Sequence, residues 1–65
     1  MKIIVNGEGV ESGAATLADL LVDLGHGGAA VATAVNEGFV PATARPTCPL
    51  RPGDRVEIVA PRQGG

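Results

Sequence analysis

The stretch TLADLLVDLG is the one segment of this chain with a helical period, and it constrains the fold more than any other. Leu17, Leu20, Leu21 and Leu24 recur at i, i+3, i+4 and i+7, which places four leucines on one face of a helix. Thr16 followed by Asp19 has the form of a capping box, with Asp in place of the usual Glu, and Gly25 is a natural C-cap. A chain of 65 residues has room for a single core. The leucine stripe must therefore cover whatever the rest of the chain builds.

The rest reads as strands and turns. MKIIVNGEGVE gives two short strands around Asn6-Gly7, the preferred pair for a type I′ hairpin because both central residues need positive φ. Ser12-Gly13 breaks the pattern, and HGGAA after the helix reads as a loop. VATAVN alternates β-branched residues with alanine and stops at Asn36-Glu37-Gly38; FVP adds a short strand ended by Pro41. Residues 42–50 carry Pro46 and Pro49 without a clear period and read as a loop. RPGD is a turn, and RVEIVA a last alternating strand.

That order describes an α+β fold of the β-grasp type, ubiquitin-like: a mixed four- to five-stranded sheet curled around one helix. The right-handed crossover rule lets the first and last strands lie parallel at its centre. Parity then sets the faces. Lys2 and Ile4 oppose Met1, Ile3 and Val5, while Arg55, Glu57 and Val59 oppose Val56, Ile58 and Ala60. Charged residues mark the open face, so Ile4 and Val59 are expected there as a small apolar patch. Residues 1–60 are expected to form the domain and 61–65 a flexible tail, because Pro61 ends strand pairing and Gly64 and Gly65 have no side chain to bury.

Composition excludes several classes of function. The hydrophobic fraction of 45% belongs to a folded chain, and with Phe39 the only aromatic residue the core must come from Val, Leu, Ile and Ala. Five basic against seven acidic residues give a net charge of −2, the wrong sign for nucleic-acid or anionic-membrane binding. Cys48, the only cysteine, permits no internal disulfide, no multi-cysteine metal site and no four-thiolate iron–sulfur cluster. With no signal peptide and no spanning stretch, the reading is a soluble cytoplasmic protein. Cys48, in a loop, reads as an inert or weakly buried thiol. His26 lacks metal-ligand partners and falls at the helix C-terminus, and Asp19 and Asp23 read as a solvated helix face. GHGG has neither the spacing nor the lysine of a phosphate loop.

IVNGE, the leucine helix, VATAVNEGFVP, LRPGDRVEIV and the terminal QGG follow one another over nearly the whole chain. In that order they resemble the thiamine-biosynthesis sulfur carrier (ThiS) family. Two departures fall in loops: Ala42 stands where the family commonly has arginine, and TARPTCP is proline-rich. The resemblance implies a protein co-substrate in thiazole formation, not an enzyme, with no catalytic group, metal or cofactor of its own. The carboxylate of Gly65 would be adenylated by a partner using ATP and then converted to a thiocarboxylate. Arg62, Gln63 and Gly64 would thread into that partner, and Ile4 and Val59 would dock on it. The implied partners are a ThiF-type adenylyltransferase, a thiazole synthase and a sulfur donor of the cysteine desulfurase type. No nucleic acid or membrane is implied, and the carrier is expected to be a monomer. Two alternatives share parts of this pattern. One is the small subunit of molybdopterin synthase or another ubiquitin-like sulfur carrier, which tend to be longer and richer in aromatics. The other is a ubiquitin-like modifier or pure binding module, such as a β-grasp RNA-binding domain with a basic face.

Overall fold

Asn6 and Gly7 turn the chain with φ of 50° and 86°, both positive as a type I′ turn requires. They join β1 (Lys2–Val5) to β2 (Glu8–Glu11) as an antiparallel pair in a computed structural model that describes residues 1–27 and 30–60. Asn36 and Glu37 make a second turn of the same kind, with φ of 49° and 71°. It joins β3 (Ala32–Val35) to β4 (Gly38–Val40). β5 (Arg55–Val59) runs parallel to β1 and antiparallel to β3, so the sheet order is β2-β1-β5-β3-β4. This is the expected β-grasp, with five strands among the described residues and β5 central.

The helix α1 (Leu17–Asp23) begins where the sequence places it. Thr16 Oγ1 accepts the Asp19 N–H at 3.2 Å, which satisfies one of the donors left free in the first turn. At the other end Leu24 is the cap and Gly25, at φ 86°, lies one residue beyond it. The Gly25 N–H donates to the Val22 carbonyl and the His26 N–H to the Leu21 carbonyl, the two bonds of a Schellman motif. A β-carbon at Gly25 would be strained at that φ, which is why the helix ends there.

Leu17, Leu20 and Leu21 bury against Ile3, Val56 and Ile58 of the sheet, with Ala14 and Leu50 closing the edges. Leu24 packs only partly against this cluster.

Residues 42–47 depart from the expected plain loop. They form a 3-10 helix (Ala42–Thr47) that includes Pro46 and packs beside α1. Such short helices carry no amphipathic stripe for a sequence reading to detect. What holds this one is Arg45. Its Nε donates to Thr33 Oγ1 at 3.0 Å and its Nη2 to the Val31 carbonyl at 2.6 Å. Thr33, only 2% exposed, passes its own hydroxyl proton toward the Val40 carbonyl at 2.8 Å. One arginine thus ties the segment after β4 back to β3.

Leu20→Ala and Leu21→Ala should each cost about 2–5 kcal/mol, a large share of what so small a domain has. Val22→Ala, on the 66%-exposed side of the same helix, should cost less than about 0.5 kcal/mol. Urea titrations of the three variants test the assignment, and equal midpoints would remove α1 from the core.

Candidate functional site

The tail residues implied as reactive or threading, Arg62, Gln63, Gly64 and Gly65, lie outside the described residues, as does the 61–65 boundary itself. The described residues include the strand that leads toward them and the sheet face beside it. Strand register assigns that face. Ile4 is level with Gly9 on one side and Arg55 on the other. Across β5, Glu57 faces Ala34 and Val59 faces Ala32, and Ala34 in turn faces Phe39 of β4. The intervening residues, Ile3, Val56, Ile58 and Thr33, are buried against the helix side.

Ile4 and Val59 therefore both lie on the open face, but they do not form one patch. Ile4 is level with Arg55, four residues before Val59 on the same strand, or about 13 Å at strand spacing. Glu57 stands between them. The expected single patch is corrected to two separate apolar points, because the β1–β5 pairing places Ile4 at the start of β5.

The larger apolar surface lies on the other side of β5. Val59 is 62% exposed and Phe39 71% exposed, with the small Ala32 and Ala34 between their strands. A shallow recess of about 330 Å³ lined by Ala30, Val31, Ala32 and Val59 borders them. The start of β5 is polar instead. There a recess of about 220 Å³ is lined by Ile4, Gly7, Glu37, Arg55, Val56 and Glu57. Arg55 Nη2 approaches Glu37 Oε2 at 3.8 Å with both side chains exposed, an ion pair that solvent screens to little net worth. The face thus divides into an apolar half and a charged half.

Phe39 is the residue that sequence reasoning does not find. A three-residue strand cannot state its own parity, and only its register against Ala34 turns Phe39 outward. The available signal was that the sole aromatic residue sits beside Val40, which packs toward the core.

The remaining candidates take structural places. Cys48 is a free thiol, partly buried and packed against the core, and its carbonyl accepts the Leu17 N–H at 2.9 Å. His26 closes the end of α1 through its backbone, and Asp19 and Asp23 are exposed on that helix. Among the described residues no group of three His, Cys, Asp or Glu could hold a metal, and no helix is long and apolar enough to cross a membrane.

The sequence profile of the ThiS family matches residues 2–65. The chain belongs to the ThiS family. Among solved structures, the thiamine biosynthesis protein (ThiS) from Geobacter metallireducens is similar at 28% identity, with a TM-score of 0.82 and 100% of each chain covered. A search of curated proteins finds no match. In this ThiS-family chain the face assignment itself is testable. Phe39→Thr and Val59→Thr should shift stability by less than about 0.5 kcal/mol, whereas Ile58→Thr should cost about 1–3 kcal/mol by burying a hydroxyl. Denaturant midpoints ranked the other way would invert the face.

Proposed function

We propose that this ThiS-family chain, by its family a sulfur carrier of thiamine biosynthesis, carries sulfur as a thiocarboxylate on Gly65 and docks its activating enzyme on the open sheet face. The observation that carries this reading is that the family match runs through Arg62, Gln63, Gly64 and Gly65. The terminal glycines are thus part of the matched unit. The exposed apolar half around Phe39 and Val59, beside the strand that precedes those residues, supports the docking part.

The chemistry asks little of the carrier except its end. A carboxylate resists nucleophiles because its charge repels them. An oxygen of the Gly65 carboxylate attacks the α-phosphorus of ATP bound by the partner, and the bond to pyrophosphate breaks. The acyl adenylate has lost the charge and gained a good leaving group. A sulfur nucleophile at the hydrosulfide level then adds to the carbonyl carbon, AMP departs, and a thiocarboxylate remains. Glycine at positions 64 and 65 keeps the arm narrow and its dihedrals free.

The division into a domain of residues 1–60 and a tail of 61–65 follows from this role. The partners it requires are a ThiF-type adenylyltransferase that holds the ATP, a sulfur source of the cysteine desulfurase type with a thiol that reduces its persulfide to the hydrosulfide level, and a thiazole synthase that consumes the thiocarboxylate.

Incubation with the adenylyltransferase, ATP and a sulfur donor should raise the intact mass by one oxygen-to-sulfur replacement. Deleting Gly65, or adding one Ala after it, should abolish that shift while leaving stability within about 0.5 kcal/mol of wild type. An Ala-extended chain thiolated as fast as wild type would exclude Gly65 as the reacting residue. Val59→Asp should keep the fold and weaken calorimetric affinity for the adenylyltransferase at least about tenfold, by placing an unpaired charge in the interface. Unchanged affinity would move the docking surface elsewhere.

A further inference from the structure

β1 and β5 pair in parallel over only a short length. The Ile4 N–H donates to the Asp54 carbonyl and the Asn6 N–H to the Val56 carbonyl, both at 2.9 Å, and then β1 turns away at Asn6-Gly7. A continuing strand would next have supplied a carbonyl and an N–H to Ile58. The Asn6 carboxamide supplies both. Its Oδ1 accepts the Ile58 N–H at 2.9 Å, and its Nδ2 donates to the Ile58 carbonyl at 3.2 Å.

Ile58 is only 8% exposed. Its backbone polar groups point toward β1, since strand residues alternate the side on which they bond and the Arg55 carbonyl bonds on the β3 side, to the Asn36 N–H. Without the carboxamide, both would be left unmatched in a mostly buried place, a costly arrangement. The part of β5 that precedes residues 61–65 is thus held by β3 on one side and by a single side chain on the other.

We infer that Asn6 is a positioning residue for the activation of Gly65: its carboxamide fixes where the chain leaves the sheet relative to the docking face. Val59 presents the docking face and is followed at once by Ala60 and the tail. A clamp on Ile58 therefore fixes the point from which the tail starts relative to the docked surface, and with it the region its end can reach. If Ile58 loosens, the carrier still docks through Phe39 and Val59, but its end samples the ATP site less often. Misplacements of the order of an ångström are enough to slow a reaction by large factors. The inference rests on the carrier reading above.

Asn6→Gly is the test, because glycine accepts the positive φ of the turn and removes only the carboxamide. Asn36→Gly is its control. Asn36 Oδ1 accepts the Arg55 N–H at 3.0 Å, a matching bond at the far end of the same strand. Both variants should be checked as folded at the assay temperature. Adenylation is then followed as ATP–pyrophosphate exchange by the adenylyltransferase, with the carrier varied. For Asn6→Gly, kcat should fall at least about tenfold with KM within about threefold of wild type, and the Ile58 amide should exchange faster in deuterated buffer. Asn36→Gly should leave kcat unchanged.

If Asn6→Gly does not fold, Asn6→Asp keeps the acceptor for the Ile58 N–H, loses the donor, and should lower kcat in the same direction. A folded Asn6 variant with wild-type kcat would overturn the positioning role, as would equal losses in the Asn6 and Asn36 variants. A wild-type chain that supports no exchange at all would instead overturn the carrier reading on which the role rests.

Discussion

The interaction on which this structure depends is the pairing of β5 with both of its neighbours. β5 comes last in the described chain yet lies at the centre of the sheet, parallel to β1 and antiparallel to β3. Bringing Arg55 level with Ile4 closes a loop of nearly the whole domain, an entropic cost that local structure cannot offset. What offsets it is burial: Val56 is fully buried and Ile58 nearly so, against Leu17 and Leu20, and each such side chain contributes about 1.5–3 kcal/mol. The alternate residues of the same strand, Arg55, Glu57 and Val59, form the middle of the open face. One strand therefore closes the core and forms the middle of the open face, and strand parity keeps those tasks on separate side chains.

Asparagine appears at the first position of both two-residue turns, and in both places its side chain reaches β5. Asn6 bonds the backbone of Ile58, and Asn36 accepts the Arg55 N–H while donating to Asp54 Oδ1 at 3.0 Å. Asp54 Oδ2 in turn accepts the Arg51 N–H at 2.8 Å, which closes the turn ahead of β5. Asparagine suits this double task because it tolerates positive φ and ends in a group shaped like a peptide. The two hairpins thus grip the central strand from opposite sides by the same chemistry.

Most of the fold was legible in the sequence because its signals are local. The leucine period needs four residues of one helix, the Asn6-Gly7 turn needs two adjacent residues, and the faces of β1 and β5 follow from parity within each strand. What escaped depends on register between segments far apart. Arg45 fixes the 3-10 helix through Val31 and Thr33, 14 and 12 residues away, and nothing in TARPT announces those partners. Phe39 points outward only because β4 pairs with β3 as it does, and Ile4 is separated from Val59 only because β1 meets β5 near its start. The same division runs through the candidate site. Val59 could be placed on the open face from its own strand, whereas its neighbours across the sheet could not.

The placement of Phe39 also bears on how a carrier must behave. A chain with one aromatic residue gains most stability by burying it, yet here it stands 71% exposed, and the core is built from aliphatic side chains alone. Scattered exposed apolar residues need no explanation, but Phe39 and Val59 share a face with Ala32 and Ala34 between their strands. Aromatic side chains are enriched among residues that dominate interface energies. Beside this apolar half lie Arg55, Glu57 and Glu37, charges of the kind found at the rim of a non-obligate interface. A small apolar surface bordered by charge favours binding that can be reversed, which the carrier role proposed above needs. A larger patch on so small a domain would favour permanent association with one partner, or with other copies of the chain.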